Sequence, residues 1–129
     1  MHILICDDDA AFGTRMAEYV DAYFAAHSIQ VQTTLCTCGE EALATPELEL
    51  YQLAFLDVDM PGVNGMVLGR QLKQKCPCMM LVYVSAYLEF ALEGYTVNAY
   101  RYLLKRDIVR TLPKCLDDLL AALTDQHKT

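Results

Sequence analysis

A chain of 129 residues is long enough for one ordinary domain with a single substantial core and too short for two. Its 54% hydrophobic and 21% charged residues are those of a globular protein, and no apolar run approaches bilayer length, which argues against a membrane span. The 17 Asp and Glu outnumber the 10 Lys and Arg, which are scattered rather than gathered into a stripe, so direct nucleic-acid binding by this segment is not expected.

The start of the chain meets acid within a few residues and lacks both a basic segment and a small-residue cleavage site, so a cytoplasmic protein is expected. Six cysteines stand at 6, 36, 38, 76, 78 and 115. Neither C-x-C pair has the usual zinc spacing, and most of the six fall inside apolar strands or helical stripes. Buried free thiols are therefore expected rather than a metal site or disulfides.

Residues 3–6 are a short, wholly apolar run, the mark of a central parallel strand covered on both faces, and it stops at Asp7-Asp8-Asp9. Asp9 can cap the helix that follows, whose apolar positions are Phe12, Met16, Tyr19, Val20 and Tyr23. One cap accounts for one acid. The remaining acidity calls for a cation.

Residues 29–36 alternate apolar with polar and predict an edge strand, followed by a short helix over 39–44 before Pro46. Residues 53–56 form a second fully apolar strand ending at Asp57, and the Pro61-Gly62 and Asn64-Gly65 pairs then require a tight loop. Asn64 can cap the next helix, with Leu68, Leu72 and Cys76 inward and Pro77 as its stop. Residues 79–84 predict a fourth strand, apolar throughout and ending at Ser85. A short helix is expected over 88–94, then a more polar fifth strand over 100–104 ending at Lys105. The last helix is expected to start near Thr111-Leu112-Pro113, because Pro is tolerated in a first turn, with Leu112, Cys115, Leu116, Leu119, Leu120 and Leu123 as its stripe.

Strands alternating with helices five times predict an α/β fold, a doubly wound five-stranded parallel sheet with five helices. In the order 2-1-3-4-5 the first and third strands are neighbours whose helices leave on opposite sides, and their acids meet at the switch point. Asp7, Asp8, Asp57, Ser85 and Lys105 then share one rim. Clustered carboxylates without His or Cys favour Mg²⁺, which readily takes phosphate oxygens as further ligands. A lysine and a hydroxyl opposite would complete a cradle for a phosphoryl group, with Asp57 as the nucleophile.

The set of Asp7-Asp8, Asp57 followed by Met60-Pro61 and Gly65, then Ser85 and Lys105, resembles the receiver domain of two-component response regulators over essentially the whole chain. The resemblance implies the flavodoxin-like fold and phosphorylation of Asp57 by a sensor histidine kinase. It implies Asp8 as a direct Mg²⁺ ligand, Asp7 as one acting through water, and the backbone carbonyl of Asp59 beside Asp57 as the remaining protein ligands. Ser85 and Lys105 would contact the phosphoryl oxygens, and Ser85 with Tyr102 would form the switch. Residues 95–105 look most like receivers attached to LytTR-type DNA-binding domains. That implies a receiver over 1–125, a frayed tail at 126–129 leading to an output domain, and a surface of fourth helix, fifth strand and last helix open to homodimerisation. One departure from the family pattern is Arg106, where a proline usually follows the lysine in a cis peptide.

Two rivals stand beside this reading. Asp57-Val58-Asp59 also resembles the D-x-D start of haloacid-dehalogenase-type phosphatases, although that motif belongs on a first strand. The other rival is a receiver used only as an unphosphorylated docking module, against which the complete set of acids, hydroxyl and lysine argues.

Overall fold

The computed structural model describes residues 1–87 and 99–126. Five strands, β1 (His2–Cys6), β2 (Gln32–Cys36), β3 (Tyr51–Asp57), β4 (Met80–Ser85) and β5 (Arg101–Leu104), form one sheet in the order β2-β1-β3-β4-β5. Every pairing is parallel. This is the expected doubly wound sheet. Four α-helices lie within the described residues: α1 (Ala10–Ala26), α2 (Gly39–Leu43), α3 (Gly65–Lys75) and α4 (Ile108–Gln126). The helix expected over 88–94 falls outside the described residues, as do positions 127–129 of the expected tail, whose first residue, Gln126, still belongs to α4.

The period-2 geometry of the strands divides their side chains between two cores. Ile3, Ile5, Leu53, Phe55, Val82 and Val84 face Met16, Val20 and Phe24 of α1 and Leu112, Leu116 and Leu119 of α4. On the other face Leu4, Cys6, Ala54, Leu56, Leu81 and Tyr83 pack on Ala42 of α2 and Leu68 and Leu72 of α3. The three central strands are covered on both sides, which is why β1, β3 and β4 are almost purely apolar while the edge strands carry polar residues.

Several boundaries differ from the sequence reading. The second strand begins at Gln32, three residues later than expected: its ladder with β1 starts at the His2–Gln32 pair, and ahead of it the Met1 amine donates to the Gln30 carbonyl at 3.1 Å. Ile29 and Val31 instead pack, partly buried, beside α1. In α1 the inward line is Gly13, Met16, Ala17, Val20 and Phe24, while Tyr19 is largely exposed. Tyr23 stays at the margin, where its hydroxyl donates to Asp117.

The last helix starts at Ile108, directly after a 3-10 turn over Lys105–Asp107, so Pro113 sits in its second turn rather than its first. The amide missing from Pro113 would have served the carbonyl of Val109, a residue 90% exposed, where solvent can serve instead. The Thr111 hydroxyl donates back to the Asp107 carbonyl at 3.0 Å and secures the added turn.

Candidate functional site: an acidic rim with one lysine

Each candidate residue stands where a strand ends. Asp7 follows β1, and its backbone N–H donates to the Cys36 carbonyl of β2 at 3.0 Å, so the end of β1 is tied sideways. Asp9 caps α1 as expected: its carboxylate accepts from the Phe12 N–H at 3.2 Å, and its own N–H donates to Asp7 Oδ1 at 2.8 Å. The acid triplet is thereby divided. One member closes the helix, one is buried and hydrogen-bonded, and Asp8 is left exposed at the rim.

Asp57 is the last residue of β3 and is only 4% exposed. Its backbone is held by the loop that follows: the Gly65 N–H donates to the Val58 carbonyl at 3.0 Å, and a Cβ on Gly65 would lie 2.1 Å from the Asp57 carbonyl oxygen. No larger residue can open α3 at this distance. Asn64 caps that helix through the Val67 N–H at 3.0 Å.

Carboxylate oxygens of Asp7, Asp8 and Asp57 all lie within 4.8 Å of one another. Lys105, just past β5, reaches into the group, with Nζ 2.9 Å from Asp7 Oδ2 and 3.6 Å from Asp57 Oδ2. It does so although Arg106 replaces the family's proline and the described residues contain no cis peptide bond. Burial pushes the Asp57 carboxyl up to about 7, with the Asp7 charge adding to the rise and Lys105 opposing it. For Lys105 burial pulls downward, but the hydrogen bond to Asp7 and the charges of Asp57, Asp7 and Asp8 outweigh it, and the net shift is upward. Burial and a crowd of negative charge, which one ammonium only partly offsets, thus act together at this rim.

Ser85 ends β4 with no exposure, and its Oγ accepts the Tyr87 N–H at 3.0 Å. Tyr102 on β5 donates its hydroxyl to the Tyr87 carbonyl at 2.6 Å and lies against the Tyr83 ring, 6.4 Å between centroids. Tyr87 thus bridges the strand-end hydroxyl and the aromatic residue. Asp59 is exposed on the loop after β3.

Sequence reasoning did not find two neighbours of this rim. The Phe12 ring carries the Lys105 ammonium 4.5 Å from its centroid; the sign available in the sequence was its place three residues after the cap, in the first turn beside the rim. Tyr87 was passed over because its part is played by its backbone. All six cysteines are free, four of them buried, whereas Cys38 is half-buried and Cys78 exposed. Burial pushes the Cys6 thiol up to about 12, so it takes no part as a thiolate at neutral pH.

Fold and site together define an α/β protein with a 2-1-3-4-5 parallel sheet and an acidic, lysine-containing rim at its switch point. The model of the response regulator receiver domain matches residues 3–116, and the chain belongs to that family. It is 31% identical over 121 residues to the positive alginate biosynthesis regulatory protein of Pseudomonas aeruginosa, a match covering 88% of this chain and 46% of that protein. A sensory transduction protein LytT of Oceanobacillus iheyensis is 25% identical over 81% of this chain and 42% of its own length, in line with the expected LytTR kinship. The chain thus spans about half the length of the curated relatives it matches or less. Among solved structures, the response regulatory domain of protein mrkE from Klebsiella pneumoniae shares the fold with a TM-score of 0.76 at 21% identity, covering 97% of this chain and 99% of that one. The phosphatase alternative required the D-x-D pair on the first strand, and here it ends the third.

Proposed function

We propose that this receiver domain accepts a phosphoryl group on Asp57 from a phosphohistidine of a sensor histidine kinase. The observation that carries the proposal is the convergence of three carboxylates and one ammonium where β1, β3 and β5 end. A carboxylate oxygen of Asp57 forms the new O–P bond as the N–P bond breaks. The imidazole leaves with the electron pair of that bond and takes a proton from solvent. The barrier is lowered mainly by position and by cancelling charge on the equatorial oxygens.

The donor set, carboxylate oxygens without His or Cys, fits a hard divalent cation. Asp8 and Asp57 would hold Mg²⁺ directly, Asp7 through water and Asp59 through its backbone carbonyl; when bound, the ion supplies positive charge facing the phosphoryl oxygens. Lys105 turns from Asp57 to a phosphoryl oxygen while Asp7 retains its other side. The Ser85 hydroxyl, which accepts from the Tyr87 N–H, has its own proton to donate to a second phosphoryl oxygen. Loss of the group to water later restores the carboxylate, so the domain is a self-acting switch rather than a turnover enzyme.

Movement of Ser85 toward the phosphoryl group pulls on Tyr87, and through its carbonyl on the Tyr102 hydroxyl. The surface of β5, α4 and the segment before them changes as a result, and with it contact to a second copy or to a DNA-binding output domain of LytTR type. The domain occupies residues 1–125 in this reading and works in the cytoplasm. Incubation with acetyl phosphate and Mg²⁺, followed by intact-mass measurement, is expected to add one phosphoryl group to the wild type and none to Asp57→Asn. Absence of uptake by the wild type would leave only the docking-module reading.

A further inference from the structure

Lys105 does more than meet two carboxylates. Its side chain is 22% exposed, and its ammonium lies 4.5 Å from the centroid of the Phe12 ring, well inside the range over which an aromatic quadrupole attracts a cation. The placement follows from the start of α1. Phe12 is the third residue of that helix, its N–H is fixed by the Asp9 cap, and a helical side chain leans back toward the N-terminus, here the rim. Ile108, Val109 and Leu112 of α4 line a mainly apolar cleft of about 250 Å³ together with Phe12, Arg15, Met16 and Tyr19, so the ring borders a largely apolar surface as well as the rim. Arg15 also approaches the ring, but at 5.9 Å it is at the limit of attraction, and Lys105 is the closer cation.

We propose that Phe12 is a positioning residue for the phosphoryl-transfer site: its ring holds one side of the Lys105 ammonium and so keeps the charge aimed at the place above Asp57 where phosphoryl oxygens arrive. The inference rests on the function proposed above. It adds that an aromatic face, and not only the acids, fixes the lysine. A lysine has four rotatable bonds, and Asp7 and Asp57 alone would hold it only while both are ionised and unengaged. When the phosphoryl group engages Asp57, the ring remains beside Asp7 as a second partner, one that carries no net charge and does not titrate.

The test measures the rate of phosphoryl uptake from acetyl phosphate with saturating Mg²⁺, a small donor that needs no docking surface. Phe12 is replaced by phenylalanines of increasing ring fluorination, which weaken the quadrupole while nearly preserving shape, and by Leu and Tyr. The rate is expected to fall stepwise with fluorine number, to drop about fivefold in Phe12→Leu and to recover to within about twofold of wild type in Phe12→Tyr. In a Lys105→Ala background, Phe12→Leu is expected to change nothing further, because the ring acts through the lysine. Rates independent of fluorination, or a Leu effect of equal size with Lys105 absent, would overturn the positioning role while leaving the phosphoacceptor reading intact. No uptake by the wild type, or a Lys105→Ala rate equal to wild type, would overturn the reading beneath it.

Discussion

Asp57 carries the cost of the site. Its carboxyl stands near 7 because it is buried and faces Asp7, so between about pH 4 and 7 the folded protein keeps a proton that the unfolded chain releases. Over that window stability declines as pH rises, because burial and the Asp7 charge outweigh the ion pair with Lys105. Asp57→Asn removes the effect. The variant is expected to be more stable than wild type by on the order of 2 kcal/mol at pH 8, with the gap closing toward pH 4. Thermal unfolding of both proteins across this range checks it, and a gap that widens in acid would contradict the burial argument. At this scale the placement of the rim residues was legible in the sequence, since Asp7, Asp57 and Ser85 each end an apolar run and Lys105 ends the more polar edge strand. Phe12 was not, because an aromatic at helical spacing reads equally as core, and only the distance to Lys105 separates the two.

Among the elements, the central strands were the easiest to read and the last helix the hardest. A strand buried on both faces has no choice but to be apolar, so the runs ending at Cys6, Leu56 and Val84 announce themselves. The start of α4 is decided by balance instead. Pro113 favours a late start, but the 3-10 turn over Lys105–Asp107, the Thr111 bond to Asp107 and the burial of Leu112 extend the helix upstream of it. Pro113 therefore works against its helix, at a position where the ring meets the preceding turn and no amide is present. Pro113→Ala is expected to raise stability by roughly 1 kcal/mol, read as the midpoint of urea unfolding. A loss of stability would show that the proline has a compensating role in the unfolded chain.

In the whole molecule, topology does the work that no single motif could. The crossovers put α1 and α4 on one face and α2 and α3 on the other, and the reversal falls between β1 and β3, where Asp7 and Asp57 meet. Ser85 and Lys105 arrive at the same rim because β4 and β5 extend the parallel sheet on the far side of β3. Periodicity and amino-acid composition supplied the elements, and right-handed crossovers the doubly wound parallel sheet; the order itself follows from neither, because several strand orders satisfy that handedness. The central claim is that this geometry makes Asp57, rather than the nearby Asp7 or Asp8, the acceptor. Borohydride reduction of the phosphorylated domain converts an aspartyl phosphate to homoserine, and peptide mass mapping then reads its position. The account predicts homoserine at position 57 alone; homoserine at position 7 or 8, or at none of the three, would contradict it.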